Sequence, residues 1–383
     1  MIGTAEATRP TDLADVRVTN LALVLRHVRA HAPCSRADIA AATGLNKATV
    51  SSLVTDLIER RLMRESGLVG SRIGRPATML TLEGMPYAAI GIEVAPDHLS
   101  AVAVDFTGGR LLTWRRASPG PRAPAGRTVA AVAALAARVV GKVTGQGRTV
   151  LGLTLGVADA SDGGLGAQVN RSLHDPSFEV VVSPAAALAA LAEQREGSHA
   201  GSDDLVHLRG GVGVTAGIIA GGRPLRGARG LAGSIGHLTV DADGPACDCG
   251  RRGCLDLTLG LPALFRAALP AGESPQADWG ASVERIAALA HTGDATAVQA
   301  LTAAGGRLGD AVRALADVLD PEVVLLGGAL TPLAPWLVPA AKARLDDGHP
   351  VVAASTVEPN AVALGGAALA LGRLEAGDLP QRA

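Results

Sequence analysis

Apolar residues recur at helical spacing in the first part of the chain. One such stretch begins near Asn20 and stops at Pro33, because proline cannot continue a helix. A second begins at Ser35, an N-cap residue, with Asp38 three residues on as its partner in a capping box. This second helix is expected to end at Gly44, which permits a tight bend before the next element.

A third helix is predicted after Asn46. Its apolar positions follow the spacing i, i+3, i+4, i+7 and i+8, at Val50, Leu53, Val54, Leu57 and Ile58. The segment from Arg64 to Leu82 alternates and contains glycines, which predicts a two-stranded hairpin. Three short helices followed by a hairpin are the arrangement of a winged helix-turn-helix domain.

The side of the third helix opposite the apolar stripe is polar, and its short side chains can reach base edges and phosphates in a major groove. Arg36 can contact the DNA backbone, and Arg72 and Arg75 lie where a wing meets phosphates or the minor groove. The predicted DNA-binding residues are Arg36, Asn46, Lys47, Thr49, Ser51, Ser52, Thr55, Arg72 and Arg75. The pattern alone leaves open a small helical interaction domain with a polar surface.

Strands and helices alternate from Tyr87 onwards. Three strands joined by turns come first, a helix is predicted over 128–143, and 322–330 reads as a late buried strand. Interleaved strands and helices predict an α/β body.

The chain therefore divides into two predicted domains. Residues 1–84 form the DNA-binding domain, with 1–16 as a loose leader, and residues 85–383 form the body. The last residues, 375–383, are expected to be a frayed tail.

Composition and charge agree with this division. The chain has 383 residues, of which 48% are apolar and only 2% aromatic, so the cores are built from small side chains and RNA-stacking surfaces are not expected. Residues 1–84 carry a net charge of +3 and the remainder −4, as for a DNA-reading module on a larger sensor. Neither a signal-peptide h-region nor a membrane-spanning run is visible, which predicts a cytoplasmic protein.

Three of the four cysteines lie within eight residues, and a histidine precedes them by ten residues. His237, Cys247, Cys249 and Cys254 offer one imidazole and three thiols, the donor set that Zn²⁺ prefers in a closed tetrahedral site. The sequence therefore predicts a structural zinc ion held over 237–254, as opposed to three unrelated buried thiols. Cys34 is expected to be a small core residue.

These motifs together resemble the ROK family of repressors, open reading frames and kinases. The segment SRADIAAATGLNKATVSSLVTDLIERRL, within residues 20–82, resembles the DNA-reading head of the family's regulators, and GHLTVDADGPACDCGRRGCLD resembles its zinc signature. The resemblance continues over residues 88–374. It implies a two-lobed actin/hexokinase-like α/β body around a cleft, behind an N-terminal winged helix-turn-helix.

The residues of kinase chemistry depart from the family pattern. Where family kinases have D-x-G-G-T, residues 93–97 read EVAPD, which removes the glycines that approach phosphate. The family's catalytic aspartate aligns with Ala185, which cannot accept a proton. The resemblance therefore implies a body that has lost its kinase activity, with retained nucleotide binding disfavoured.

The family's sugar-contacting motifs are also altered. Ser234 stands at a glutamate position, His237 is kept, and Asp256 replaces a glutamate. With Asn170, these residues make up the predicted ligand pocket, whose ability to recognise a sugar is weakened by the losses.

The sequence predicts a DNA-binding transcriptional regulator, a repressor, that acts on a double-stranded operator as a homo-dimer or tetramer. Its effector is expected to be sugar-like or another small molecule. The alternatives are a ligand-independent regulator with a vestigial pocket, an activator, and an active sugar kinase.

Overall fold

The computed structural model describes residues 13–69, 77–120, 123–158, 164–174, 176–276, 278–346 and 348–380. The helices are α1 (Leu13–His31), α2 (Arg36–Thr43), α3 (Lys47–Glu59), α4 (Ala125–Thr144), α5 (Leu165–Ser172), α6 (Ala185–Glu196), α7 (Asp256–Leu259), α8 (Leu261–Ala268), α9 (Trp279–His291), α10 (Ala295–Leu319), α11 (Ala334–Lys342) and α12 (Ala361–Glu375). The strands are β1 (Cys34–Ser35), β2 (Met63–Val69), β3 (Ala77–Leu82), β4 (Tyr87–Val94), β5 (His98–Asp105), β6 (Arg110–Ala117), β7 (Thr149–Val157), β8 (Glu179–Pro184), β9 (Leu205–Gly210), β10 (Val214–Ala220), β11 (Arg223–Pro224), β12 (Val323–Gly328) and β13 (Val351–Ala354).

Residues 13–69 fold as the predicted helix-turn-helix, with one correction. The first helix begins at Leu13 and not near Asn20, so part of the expected leader is helical. The capping box of Ser35 and Asp38 is present, and Gly44 ends α2 in the left-handed conformation. These local features were predictable because each one depends only on neighbouring residues.

The hairpin is also present. Strands β2 and β3 pair antiparallel, and the short β1 adds a third strand, in the order β1-β3-β2. Its Cys34 is buried in the core, as predicted. Arg72 and Arg75, predicted to lie on the wing, fall outside the described residues.

The body contains two five-stranded sheets, in the orders β6-β5-β4-β7-β8 and β11-β10-β9-β12-β13. In the first, β4 pairs antiparallel with β5 and parallel with β7. In the second, β9 pairs antiparallel with β10 and parallel with β12. Two mixed sheets, each with helices, are the two α/β lobes that the sequence predicted.

Two helices fill the space between the sheets. Helix α12 packs on the first sheet, α6 packs on the second, and the two pack on each other. A Cβ at Gly365 would lie 1.7 Å from the carbonyl oxygen of Leu188, and one at Gly217 would lie 1.9 Å from that of Ala186. Only glycine permits these backbone approaches, so the helices and the sheet pack closely at these two positions.

The head and the body share one hydrophobic cluster, which joins residues of α1 and α3 to residues of α6 and α12. Glu375, at the end of α12, binds Arg29 of α1 at 2.6 Å and Arg195 of α6 at 3.0 Å. Beyond it, the carbonyl oxygen of Pro380 accepts a hydrogen bond from Arg60 at the end of α3. The expected frayed tail is therefore wrong for 375–380, which contact the head.

Candidate functional site

Helix α3 presents the predicted DNA-binding face to solvent. The side chains of Lys47, Ser51, Ser52 and Thr55 are exposed, and Thr49 is half-buried. On the opposite side, Val50, Leu53, Val54 and Leu57 are buried. The helix therefore rests on the head by its apolar stripe and leaves its polar face open to a groove.

The exposed side chains differ in how they are engaged. Asn46 Oδ1 accepts a hydrogen bond from the backbone nitrogen of Thr49 at 2.8 Å, and Thr55 Oγ1 donates to the carbonyl of Ser51 at 3.0 Å. Lys47 and Ser52 make no side-chain hydrogen bond within the described residues. Their polar groups are consequently available to DNA without breaking a bond inside the protein.

Two arginines fix α3 from behind. Asp56 is buried and accepts from Arg17 of α1 at 2.7 Å and from Arg60 at 2.8 Å.

Arg36, expected to contact the DNA backbone, pairs with Glu65 of β2 at 3.1 Å. Glu65 is exposed and Arg36 is half-buried, so this ion pair is partly open to solvent and a phosphate can compete for the guanidinium.

The second candidate site brings together the four predicted metal ligands. The donor atoms of His237, Cys247, Cys249 and Cys254 all lie within 4.8 Å of one another. The Sγ atoms of Cys249 and Cys254 are 3.6 Å apart, and Cys247 Sγ lies 3.6 Å from His237 Nδ1. Thiolates about 2.3 Å from a tetrahedral zinc lie about 3.8 Å apart, so the donors fit that ion.

The electrostatics of this cluster also call for a cation. Burial, followed by the neighbouring thiols Cys249 and Cys247, raises the pKa of Cys254 to about 12. A divalent ion removes this penalty because it stabilises all the thiolates together. Arg251 donates to the carbonyl oxygen of His237 at 2.8 Å and so steadies the backbone of one ligand.

The residues of the predicted ligand pocket lie in different surroundings. Ser234 and His237 are exposed, and Asn170 is half-buried on α5 in the first lobe. Asp256 Oδ1 accepts a hydrogen bond from the backbone nitrogen of Val214 at 2.7 Å, so this carboxylate holds the β9–β10 turn.

A cavity of about 480 Å³ opens between the lobes, and none of these four residues is among its lining residues. Its polar end holds a charged group that the sequence did not predict. Arg209 of β9 binds Glu93 of β4 and, at 3.2 Å, Glu358. Glu93 is only 2% exposed. A charged residue within a buried strand was the available signal, but the two carboxylates that pair with Arg209 lie 116 and 149 residues from it in the sequence.

Two histidines near this group differ in protonation state. Burial alone lowers the pKa of His98, but its hydrogen bond to Asp97 and the nearby carboxylate of Glu93 outweigh that effect and raise the pKa to about 9. His207, beneath Arg209, has no carboxylate partner within the described residues, and burial lowers its pKa to about 3. His98 is therefore a cation at neutral pH and His207 is neutral.

A winged helix with an open reading face, carried on a two-lobed α/β body, defines the class: DNA-binding transcriptional regulators with a sugar-kinase-like domain. The ROK family profile matches residues 161–373, and a MarR family profile matches residues 22–67. The chain belongs to the ROK family.

Individual relatives agree with this assignment. The xylose repressor of Bacillus subtilis is 27% identical over 83% of this chain and 85% of its own length. The transcriptional dual regulator NagC of Escherichia coli is 25% identical over 85% of this chain and 84% of its own length.

Solved structures carry the same fold. A ROK family transcriptional regulator homologous to the E. coli MLC protein superposes with a TM-score of 0.78 at 23% identity, over 94% of this chain and 97% of that one. The ROK hexokinase of Thermus thermophilus gives 0.61 at 27% identity, over 75% of this chain and 99% of its own. The kinase therefore matches a part of the chain about the size of the body, whereas the regulator matches nearly all of it.

No helix within the described residues is long and apolar enough to cross a membrane.

Proposed function

We propose that this protein is a transcriptional repressor that binds a two-fold symmetric operator as a homo-dimer or tetramer, with α3 of each head in a major groove. The exposed polar face of α3 carries the proposal, because its short polar side chains and its lysine suit base edges and phosphates. The name of the xylose repressor supports repression as the mode of regulation. Arg36, Arg72 and Arg75 would add backbone contacts.

The experiment is selection of an operator from genomic fragments with the full-length protein, followed by affinity measurements on Lys47→Glu. We expect this variant to lose about tenfold or more in specific affinity, since it replaces a cation by an anion at the phosphates. Lys142→Glu makes the same change on an exposed site of α4 and should bind normally. Equal operator affinity of the two variants would show that α3 is not the helix that contacts the operator.

The body of this regulator does not phosphorylate sugars under this proposal. Ala185 stands at the start of α6, where it lines the cleft with a methyl group in place of a general base. A coupled assay for ADP formation over a panel of aldoses and amino sugars should remain at background. Sugar-dependent turnover would establish the kinase alternative.

The cluster of His237, Cys247, Cys249 and Cys254 holds a structural zinc ion in this proposal. Cys254→Ser should reduce bound zinc from about one ion per chain to a small fraction, because it removes one of four ligands. It should also lower the thermal midpoint, since metal binding and folding are linked. Cys34→Ala changes the cysteine outside the cluster and should keep all of the zinc. Full zinc content in Cys254→Ser would contradict the ligand set.

A small-molecule effector would act by binding the DNA-competent and DNA-incompetent arrangements with different affinities. The relatives' names point to sugars, and Ser234, His237, Asp256 and Asn170 are the residues here that would meet one. A ligand-independent regulator is the second candidate, and it is favoured by the exposure of Ser234 and by the engagement of Asp256 with a backbone nitrogen.

A further inference from the structure

The cavity between the lobes has one apolar wall and one polar end. The wall is formed by Leu261, Trp279, Val283, Val212 and Pro332, and the polar end by Glu93, Asp97, His98, Arg209 and Glu358. Val212 is 53% exposed although it is a large apolar side chain. Such a wall stabilises an apolar group, and the polar end would orient the rest of the molecule.

The two buried cations at the polar end, Arg209 and His98, are already neutralised by the protein. Arg209 binds both Glu93 and Glu358, and His98 lies 2.8 Å from Asp97 and 3.5 Å from Glu93. An anionic ligand would have to break one of these buried pairs, which is costly, or rely on Arg115, which lines the same cavity but is exposed, so that solvent weakens its attraction.

Acceptors, in contrast, remain available. Glu358 Oε1 accepts from Gly328 at 2.7 Å and from Arg209, while its second oxygen accepts no hydrogen bond within the described part of the chain. Asp97 uses one side-chain oxygen for His98. The polar end therefore suits a group that donates hydrogen bonds, such as an amine or a hydroxyl.

The turn between β9 and β10, residues 211–213, lies beside the cavity and is poorly suited to bind a phosphate. Its following residue, Val214, donates its backbone N–H to Asp256, and that carboxylate also lies against Gly213, where a Cβ would be 2.8 Å from Asp256 Oδ2. A carboxylate fixed against this turn repels any polyphosphate that approaches the same backbone.

We propose that this cavity binds a small amphipathic molecule without phosphate, with an amine or hydroxyl group at Glu358 and Asp97 and an apolar body against Trp279 and Val212. The site is separate from the residues 170, 234, 237 and 256. This ligand-binding proposal rests on the proposed function only where an effect of the ligand on DNA binding is concerned. Ligand binding is therefore measured without DNA, so that a failure to bind ligand is distinct from a failure to recognise the operator.

The experiment is ligand-observed NMR and calorimetry on the full-length zinc-loaded protein with four probes: 2-phenylethylamine, 2-phenylethanol, 2-phenylethyl phosphate and Mg-ATP. Fragments of this size bind in the millimolar range, so probes are used up to about 10 mM. The amine and the alcohol should bind, and the phosphate ester should be weaker than the amine by about tenfold or more.

Two variants place the site. Val212→Ser, on an exposed position, should weaken the amine and the alcohol by about threefold to tenfold through lost apolar contact. Val318→Ser makes the same change at a residue of α10 that is 80% exposed and should have no effect. Glu358→Gln should weaken the amine more than the alcohol, because it removes the charge and keeps an acceptor.

Three results would overturn the proposal. They are Mg-ATP or the phosphate ester binding at least as tightly as the amine, equal binding by Val212→Ser and Val318→Ser, and no binding by any probe to folded protein. The first would instead establish a retained nucleotide site.

Discussion

The reading face of the head and the polar end of the cleft hold their functional side chains in opposite ways. On α3, Lys47 and Ser52 extend from a helix surface and make no side-chain hydrogen bond within the described residues. In the cleft, Glu93, Arg209 and Glu358 bind one another in a nearly buried group. A substitution on α3 should therefore change binding alone, whereas one in the cleft should change folding stability as well.

The largest expected effect comes from removing the central cation of the cleft. Arg209→Leu removes the cation that the nearly buried carboxylates of Glu93 and Glu358 share, which should lower the free energy of unfolding by about 3–5 kcal/mol. Urea denaturation of the zinc-loaded protein measures this. Arg115→Leu, at an exposed residue lining the same cavity, should change stability by less than about 0.5 kcal/mol. Similar losses in both variants would show that the buried Arg209 contributes no more to folding stability than the exposed Arg115.

A smaller effect is expected from His98, and it depends on pH. The folded pKa of about 9 lies above the ordinary value of 6.5, so the stabilisation is complete below pH 6.5 and is lost as the pH rises through 9. His98→Gln should be less stable than the parent by about 3 kcal/mol at pH 6, and the difference should vanish near pH 10.

The control for this profile is His349→Gln. His349 pairs with Asp320 at 3.2 Å, but their side chains are 55% and 92% exposed. Exposed pairs contribute little, so this variant should follow the parent at every pH. A constant deficit for His98→Gln across the range would indicate lost packing in place of a lost charge.

The smallest effect on stability is expected on α3. Ser52→Ala should change the free energy of unfolding by less than about 0.5 kcal/mol, yet weaken operator affinity by a few fold if its hydroxyl meets a base edge or phosphate. Ser172→Ala, on the exposed surface of α5, should change neither. Loss of stability in Ser52→Ala would contradict the expectation that substitutions on α3 change DNA binding alone.

The same contrast separates what was predictable from what was not. The capping box of Ser35 and Asp38 and the buried stripe of α3 depend on residues within one or two turns, so periodicity and cap chemistry identify them. The cluster of His237, Cys247, Cys249 and Cys254 was equally accessible, because its three cysteines lie within eight residues of one another.

The cleft could not be obtained in this way. Its central group joins Glu93 of one sheet to Arg209 of the other, and only the packing of α6 and α12 between the sheets sets that distance. The resemblance to the family's kinases pointed to Ser234 and Asp256 instead. The contact of the final residues with the head was missed for the same reason, since Glu375 and Arg29 meet only in the folded chain.

That last contact has a consequence for the length of DNA between half-sites. Glu375 forms ion pairs that link α1 to α12 and α6, and one hydrophobic cluster contains residues from both sides of residue 84. The head is therefore packed against the body and does not move independently of it. In an oligomer, the distance between two reading helices would then be set by how the bodies associate. One inserted base pair shifts a half-site by about 3.4 Å and turns it by about 35°, and a head fixed in this way cannot absorb that change. Spacer length should consequently be as strict a requirement of the operator as its bases.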